Sequence, residues 1–191
     1  MKNEIIELDY IKTPFLEHVM ETIYALRLAL VPLTLEQLKL GLVSLNDLSA
    51  SVGVPIVSSL FDGVVKRAVK MKIEKMGKVP PAQHPWFTYW LIVPNEDNTG
   101  AGMVGFKGIP NSKGEVEIGY GIDPVFQRRG YMSEAVTSLI AWAFDHPECK
   151  AITATAVLLD NLASQKVLLK NGFIETAQDE RGLSYRLDKP A

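Results

Sequence analysis

The sequence predicts a single α/β domain in which strands, three of them antiparallel, alternate with helices. Its 191 residues suit one sizeable core better than two. The apolar pattern changes several times between the two-residue repeat of strands and the helical repeat of about 3.6 residues. Glycine, proline and asparagine mark the boundaries between these segments. We expect residues 21–191 to form this domain and residues 1–20 to be an N-terminal extension.

The first part of the chain predicts a strand followed by helices. Apolar residues alternate from Ile23 to Leu30, which is typical of a strand, and Thr34 then stands where a helix cap is needed. A helical apolar stripe runs from Val64 to Met76, and Gly77 provides a stop. Lysine and arginine residues cover the other face of this helix, as on most solvated helix surfaces.

Strands and helices alternate in the remaining sequence. The segments WFTYWLIVP, GAGMVGFKGI and GEVEIGYGI are separated by NEDNTG and NSKG, which suit hairpin loops, so we expect three antiparallel strands. A helical stripe from Ala135 to Phe144 comes next, followed by the strand KAITATAVLL. Asn161 is placed to cap a last helix that ends at Asn171–Gly172, and GLSYRLD is the final strand.

Composition argues against several classes of protein. Lysine and arginine number 20 against 22 aspartate and glutamate residues, which does not support a general electrostatic grip on nucleic acid. One cysteine excludes an internal disulfide, and the three histidines lack zinc-ligand spacing. The amino terminus lacks the apolar core of a secretion signal, and no segment approaches the roughly 18 apolar residues of a membrane helix. We therefore expect a cytoplasmic protein without a metal, nucleic acid or membrane partner.

The segment FQRRGYMSEAV, residues 126–136, joins a predicted strand to a predicted helix. The first N–H groups of a helix have no intrahelical acceptors and carry the positive end of its dipole. A loop that turns tightly at Gly130 can therefore bind a pyrophosphate through its backbone. A side chain at this position would block that close approach.

This loop resembles that of the GNAT superfamily of acetyl-CoA-dependent N-acetyltransferases, which carries the pattern Q/R-x-x-G-x-G/A. Residues 127–132 follow the pattern, except that Met132 stands at the final small position. GYMSEA resembles the branch that includes ribosomal-protein N-terminal acetyltransferases, and DNLASQKVLLKNGF is similar to the family's N-x-x-S…K-x-G-F segment. The resemblance covers Trp86 to Phe173 and implies the GNAT acyl-CoA N-acyltransferase fold, a mixed, mostly antiparallel sheet flanked by helices, with acetyl-CoA as co-substrate.

The resemblance also implies which residues contact acetyl-CoA. Backbone groups near the end of the strand before the loop would bind the acetyl carbonyl and the pantetheine arm. The glycines at positions 119 and 121 suit a bulge that splays this strand from its neighbour, or simply relax a crowded strand. The implied contacts are Gly121, Ile122, Gln127, Arg128, Arg129, Gly130, Tyr131, Met132, Ser133 and Asn161.

Acetyl transfer needs a group that accepts the proton of the amine and one that protonates the leaving thiolate. Glu117 is the candidate base, directly or through water, because it lies on the strand that leads to the thioester. Glu115 shares its face, and the pair can instead be a solvated surface. Ser164 resembles the hydroxyl that some family members place near the CoA sulfur, although it also suits the first turn of a helix. Tyr120 and Tyr131 are alternative proton donors.

The acceptor amine stays open at this point. Small amines, amino acids, antibiotics and protein N-termini all fit the resemblance, and we expect a monomer or a homodimer. The segment from Leu33 to Val93 is expected to form the acceptor side, where Trp86, Tyr89 and Trp90 either line a pocket or pack in the core. A catalytically inactive acyl-CoA-binding sensor or partner domain is the alternative. A nucleotide-binding phosphotransferase fits less well, because the sequence lacks G-x-x-x-x-G-K-[ST].

Overall fold

The structure is a computed structural model that describes residues 20–190. Its strands are β1 Ile23–Tyr24, β2 Leu28–Pro32, β3 Trp90–Pro94, β4 Gly102–Phe106, β5 Glu115–Ile122, β6 Ala151–Val157, β7 Ile174–Asp179 and β8 Gly182–Asp188. Its helices are α1 Leu35–Val43, α2 Leu45–Val52, α3 Gly63–Met76, α4 His84–Phe87, α5 Tyr131–Phe144 and α6 Leu162–Lys170. Within these residues one sheet has the order β1-β2-β3-β4-β5-β6-β8-β7. The predicted N-terminal extension lies outside the described residues except for Met20.

All neighbouring strands of this sheet pair antiparallel except β5 and β6, which are parallel. The parallel pairing involves only Glu115 to Glu117 of β5, although β5 continues to Ile122 and stays paired with β4. Beyond Glu117, β5 therefore has no strand partner on its β6 side among the described residues. Beyond Glu117, β5 separates from β6 as predicted, but it does so without the predicted bulge. Gly119 and Gly121 pair with β4 in a regular register. The predicted α/β fold with a mixed, mostly antiparallel sheet is confirmed.

Side chains that the sequence places at helix ends do cap the helices. Thr34 Oγ1 accepts from Gln37 N at 3.1 Å, and Gln37 Oε1 accepts from Thr34 N at 2.9 Å, which completes a capping box before α1. Asn161 Oδ1 accepts from Ser164 N at 3.1 Å and caps α6. Gly77 ends α3. All three predicted boundaries are confirmed.

Buried side chains form a core on each face of the sheet. Successive residues of a strand point to opposite faces, and in β4 Val104 belongs to the core under α5 whereas Met103 belongs to the core under α1, α2 and α3. The apolar stripe predicted for α5 packs on its side through residues such as Val136 and Leu139, both fully buried. Because β5 lies beside β4, its two faces also look into different parts of the molecule.

The structure differs from the sequence predictions at several elements. The predicted strand from Ile23 to Leu30 is a pair of short strands, because the chain turns at residues 25–27 and Ala25 N donates to Leu28 O at 2.8 Å. In α3, Val64 is 79% exposed whereas Lys72 is buried. Strand β7 was not predicted: each of its residues is exposed, so its sequence IETAQD shows no apolar alternation.

Candidate active site

A cavity of about 660 Å³ opens beside the part of β5 that β6 leaves unpaired. Its walls are the end of β5, the loop before α5, the first turn of α5, and one side of α6. The predicted site residues that line it are Gly121, Ile122, Gln127, Arg128, Gly130, Tyr131, Met132, Ser133, Asn161 and Ser164. The structure thus brings together segments far apart in the sequence. Two predicted site residues, Glu117 and Arg129, do not line this cavity.

The loop before α5 presents backbone N–H groups to the large cavity. Two residues with left-handed backbone, Arg128 (φ 63°) and Gly130 (φ 83°), turn the chain into the helix. Glu134 N donates to Gly130 O at 3.1 Å, so the N–H groups of residues 131–133 have no intrahelical acceptor. Lys166 and Lys170, one turn apart on α6, line the same cavity. This wall combines a positive helix end with cationic side chains and suits a diphosphate.

Arg27 fixes this loop from outside the predicted site. Its backbone N and Nε donate to the two carboxylate oxygens of Glu134 at 2.7 and 2.8 Å, and its Nη1 donates to Arg129 O at 3.0 Å. Arg129 itself turns towards Asp97, with Nη1 3.2 Å from Oδ1. Sequence reasoning missed Arg27 because its partner Glu134 lies 107 positions away, beyond the reach of any local pattern.

Two of the candidate proton donors meet at the end of β5. The hydroxyl of Tyr120 lies 3.0 Å from Ser164 Oγ and 3.2 Å from Ser164 O. Burial raises the pKa of Tyr120 to about 12, although the hydrogen bond with Ser164 acts in the opposite direction. The third candidate, Tyr131, is 4% exposed and directs its hydroxyl towards Asp97 Oδ2 at 3.4 Å. The structure therefore pairs Tyr120 with Ser164 and separates Tyr131 from them.

A second cavity of about 320 Å³ lies on the other face of β5, against α3. Tyr120, Gly121 and Ile122 line both cavities, so the two meet at the end of β5. Tyr89 lines the smaller one, whereas Trp86 and Trp90 are buried in the core under α5. Of the three aromatic residues considered for the acceptor side, Tyr89 alone reaches a cavity wall there.

Behind Tyr89 lies a buried lysine that the sequence reasoning did not single out. Lys72 Nζ donates to the carbonyl oxygens of Phe87, Thr88 and Phe106 at 2.9, 3.0 and 2.7 Å. It also lies 4.3 Å from the centroid of the Tyr89 ring, within cation–π distance. Burial lowers the pKa of Lys72 to about 7, aided by the neighbouring charges of Lys75 and Lys107, while the three carbonyl acceptors favour its charged form.

Glu117 lies on the face of β5 that looks towards α3. Its Oε1 accepts from Lys107 Nζ and from Thr155 Oγ1, both at 2.5 Å, and its side chain is 26% exposed. Gly119, two residues further on the same face, lines the smaller cavity. Two residues of a strand span about 7 Å. Glu117 is therefore close to the smaller cavity without lining it.

The sequence matches the family described as the acetyltransferase (GNAT) domain over residues 27–174. This match covers most of the chain, and the protein belongs to this family. An uncharacterized N-acetyltransferase of Bacillus subtilis (strain 168), YjdG, is 41% identical over 88 residues, which are 46% of this chain and 52% of the relative. The chain thus matches about half the length of the curated relatives.

Solved structures share this fold. RimL, the ribosomal L7/L12 alpha-N-protein acetyltransferase in complex with coenzyme A, has a TM-score of 0.61 and 18% identity, covering 88% of this chain and 98% of that one. The microcin C7 self-immunity acetyltransferase in complex with acetyl-CoA and AMP has a TM-score of 0.55 and 17% identity, covering 85% and 92%. At these identities the likeness concerns the fold, and it confirms the predicted GNAT architecture.

None of the helices between residues 20 and 190 has the length and apolar character needed to cross a bilayer. Across the same stretch of chain, no three histidine, cysteine, aspartate or glutamate side chains cluster as metal ligands would.

Proposed function

We propose that this domain is an acetyl-CoA-dependent N-acetyltransferase that transfers the acetyl group by direct attack of an amine. The observation that carries the proposal is that two cavities on opposite faces of β5 meet at Tyr120, Gly121 and Ile122. One cavity suits a diphosphate and the other can receive a second substrate. A thioester held at their junction is reached by an amine without a covalent enzyme intermediate.

The large cavity supports acetyl-CoA binding through three sets of groups. The N–H groups at the start of α5 bind the pyrophosphate, since Gly130 allows close approach. Arg128, Lys166 and Lys170 add positive charge at the wall. The unpaired edge of β5 near Gly121 offers backbone groups to the amides of the pantetheine arm. The coenzyme A and acetyl-CoA complexes of proteins with this fold are consistent with that assignment.

Tyr120 and Ser164 are assigned to stabilise the leaving thiolate. As the amine attacks the carbonyl carbon, the carbonyl becomes an oxyanion; the carbon–sulfur bond then breaks and leaves a thiolate. A thiol has a reference pKa of about 8.5, well below that of Tyr120, about 12. Tyr120 therefore stabilises the thiolate by donating a hydrogen bond rather than by giving up its proton completely. The phenol has one proton, so in this step Ser164 Oγ donates to the phenol oxygen across the 3.0 Å contact while the phenol O–H turns from Ser164 O to the sulfur.

Glu117, acting through water, is assigned as the base that accepts the proton of the amine. Its carboxylate lies on the same face of β5 as the smaller cavity, but about 7 Å of strand separates it from Gly119. The thioester, proposed to lie at Gly121, is four residues of strand from Glu117, or about 13 Å, so a chain of water molecules has to carry the proton. Lys107 and Thr155 both bind Oε1, which leaves the other carboxylate oxygen for the first of these waters.

A screen of amines with acetyl-CoA and thiol detection tests the function. It should include small amines, amino acids, aminoglycosides and peptides with free N-termini, the last because RimL acts on a protein α-amine. We expect amine-dependent release of coenzyme A and an acetylated product by mass spectrometry. Tight acetyl-CoA binding without release for any amine would instead support an inactive acyl-CoA-binding domain.

A further inference from the structure

The smaller cavity, beside α3, has a lining that discriminates between classes of amine. Its walls are mostly apolar, formed by residues such as Leu60, Val64, Val65, Ala68, Met103 and Ile122. Two tyrosines, Tyr89 and Tyr120, add aromatic surface. Burial raises the pKa of both phenols, so they are neutral at physiological pH. A volume of about 320 Å³ is at the lower end for ligand pockets.

The formal charge on the side chains that line the smaller cavity is negative. Among the described residues that line the cavity, Asp123 is the one with a formal charge at neutral pH. Lys72 lies behind Tyr89, but its Nζ already donates to three backbone carbonyls and is not free to meet an anion. A substrate carboxylate or phosphate would therefore be desolvated against apolar side chains without a cationic partner.

The carboxylate of Asp123 is fixed by two hydrogen bonds and can accept others. Its Oδ2 accepts from Ser59 Oγ at 2.6 Å and its Oδ1 accepts from Val125 N at 2.9 Å. Each carboxylate oxygen has about two acceptor sites, so both can still accept from an ammonium group. Asp123 directly follows Ile122, where the two cavities meet. A cation bound at Asp123 therefore lies near the proposed position of the thioester.

The outer wall of the cavity is apolar as well. Val64 lines the cavity and is 79% exposed. An exposed valine side chain in the cavity wall favours an uncharged apolar group over a polyhydroxylated or polycationic one.

Resting on the proposed function, we propose that the acceptor is a small primary amine on an uncharged apolar body. Asp123 attracts its ammonium group, and the walls formed by α3 and β4 bind the body. A carboxylate beside the amine, as in an amino acid, would be repelled by Asp123 and would find no cation. A polyamine or aminoglycoside would leave charged and hydroxyl groups against apolar walls.

Phenethylamine and phenylalanine make a direct test, because they differ only in the carboxylate. We expect kcat/KM for phenethylamine to exceed that for phenylalanine, spermidine, kanamycin and an alanyl peptide by on the order of 10²-fold, as one unpaired buried charge costs a few kcal/mol. Asp123→Asn keeps a side chain that caps the turn and removes the charge. It should raise KM for phenethylamine about tenfold and leave the acetyl-CoA-induced rise in Tm unchanged.

A charge added at the wall gives a second measurement. Val64→Lys supplies the missing cation and should narrow the ratio of phenethylamine to phenylalanine kcat/KM at least tenfold, on the same reasoning. Val43→Lys is the control, because Val43 is 88% exposed and lines neither cavity; it should leave the ratio unchanged.

The outcomes separate the two levels of the proposal. Turnover that is faster with phenylalanine, spermidine, kanamycin or the peptide than with phenethylamine overturns the acceptor class and leaves the acetyltransferase function standing. An unchanged ratio in Val64→Lys also overturns it. No release of coenzyme A with any compound overturns the function, and the acceptor class with it.

Discussion

At the scale of single residues, the proposed mechanism assigns departure of the thiolate to the contact between Tyr120 and Ser164. Each side chain alone has an ordinary structural interpretation, since Ser164 stands in the first turn of α6 and Tyr120 is half-buried on β5. Their 3.0 Å contact joins two elements that line the same cavity. A raised pKa keeps the phenol protonated at any pH at which the enzyme would work. In the proposed mechanism the pair therefore donates a hydrogen bond to the thiolate and does not titrate during the reaction.

Tyr120→Phe and Ser164→Ala should each lower kcat and leave the Kd of acetyl-CoA nearly unchanged, because the thiolate forms only as the carbon–sulfur bond breaks. We expect a loss on the order of 10² for Tyr120→Phe and a smaller loss for Ser164→Ala. The double variant should lose little more than Tyr120→Phe, since the two groups act as a unit. Tyr24→Phe, at an 82% exposed position, is the control. Unchanged kcat in both single variants would remove the pair from the mechanism.

Glu117→Gln should lower kcat/KM on the order of 10² at neutral pH, since it removes a base while keeping the shape of the side chain. An amine with a pKa near 10 is already neutral at alkaline pH. The rate of the variant should therefore approach that of the wild type as pH rises. Glu115→Gln is the control on the same strand face, where Glu115 pairs with Arg186 at 2.6 Å. Identical pH profiles for Glu117→Gln and wild type would show that the amine binds in its neutral form.

At the scale of elements, the proposed binding of the phosphates depends on the turn into α5. Gly130→Val should abolish the rise in Tm that acetyl-CoA causes, because the left-handed conformation (φ 83°) and the free approach are both lost. Ligand at about 100-fold its Kd should stabilise the wild type by about 2.7 kcal/mol. Gly53→Val controls for backbone strain, since Gly53 has φ 86° and lies outside the large cavity. A full ligand shift in Gly130→Val would put the phosphates elsewhere.

Elements with a local cause were predictable from the sequence. The caps at Thr34 and Asn161 depend on neighbours within three residues, and the left-handed turn at Gly130 before α5 needs only a glycine at that position. β7 was missed because an exposed edge strand needs no apolar alternation. Its hydrogen bonds come from β8, a pairing set by the final turn of the chain.

For the candidate site, too, the sequence predicted the residues with local causes and missed those that depend on long-range contacts. The motif residues around the large cavity follow from one contiguous loop and one helix start. The roles of Arg27 and Lys72 depend on contacts across long stretches of sequence, such as the bond from Lys72 to Phe106. The cavity beside α3 was located only coarsely, to the segment that contains Tyr89, because which side chains face it depends on how α3 packs on the sheet.

At the scale of the whole molecule, Lys72 joins α3 to the sheet beneath it. Its three carbonyl acceptors belong to the end of α4, the segment between α4 and β3, and the end of β4. Gly105 leaves room for this arrangement, because a Cβ there would lie 2.4 Å from Thr88 O and 3.4 Å from Lys72 Nζ. The position of α3, one wall of the smaller cavity, therefore depends on the buried side chain of Lys72, which does not line that cavity. Burial favours loss of its proton, whereas the carbonyls favour keeping it.

The pH dependence of the protein's stability shows whether burial or the carbonyl acceptors determine the protonation state of Lys72. With a folded pKa of about 7 and an ordinary value of 10.5, the unfolded state binds one more proton between these pH values, so the free energy of unfolding should rise with pH across this window. For one proton the slope is at most about 1.4 kcal/mol per pH unit. Lys72→Met should lose this slope, and Lys70→Met, at an exposed position of the same helix, should keep it. Urea unfolding from pH 6 to 10 measures the free energy of unfolding of wild type and both variants. Parallel curves for wild type and Lys72→Met would mean that the carbonyls hold the ammonium charged and that burial does not lower its pKa.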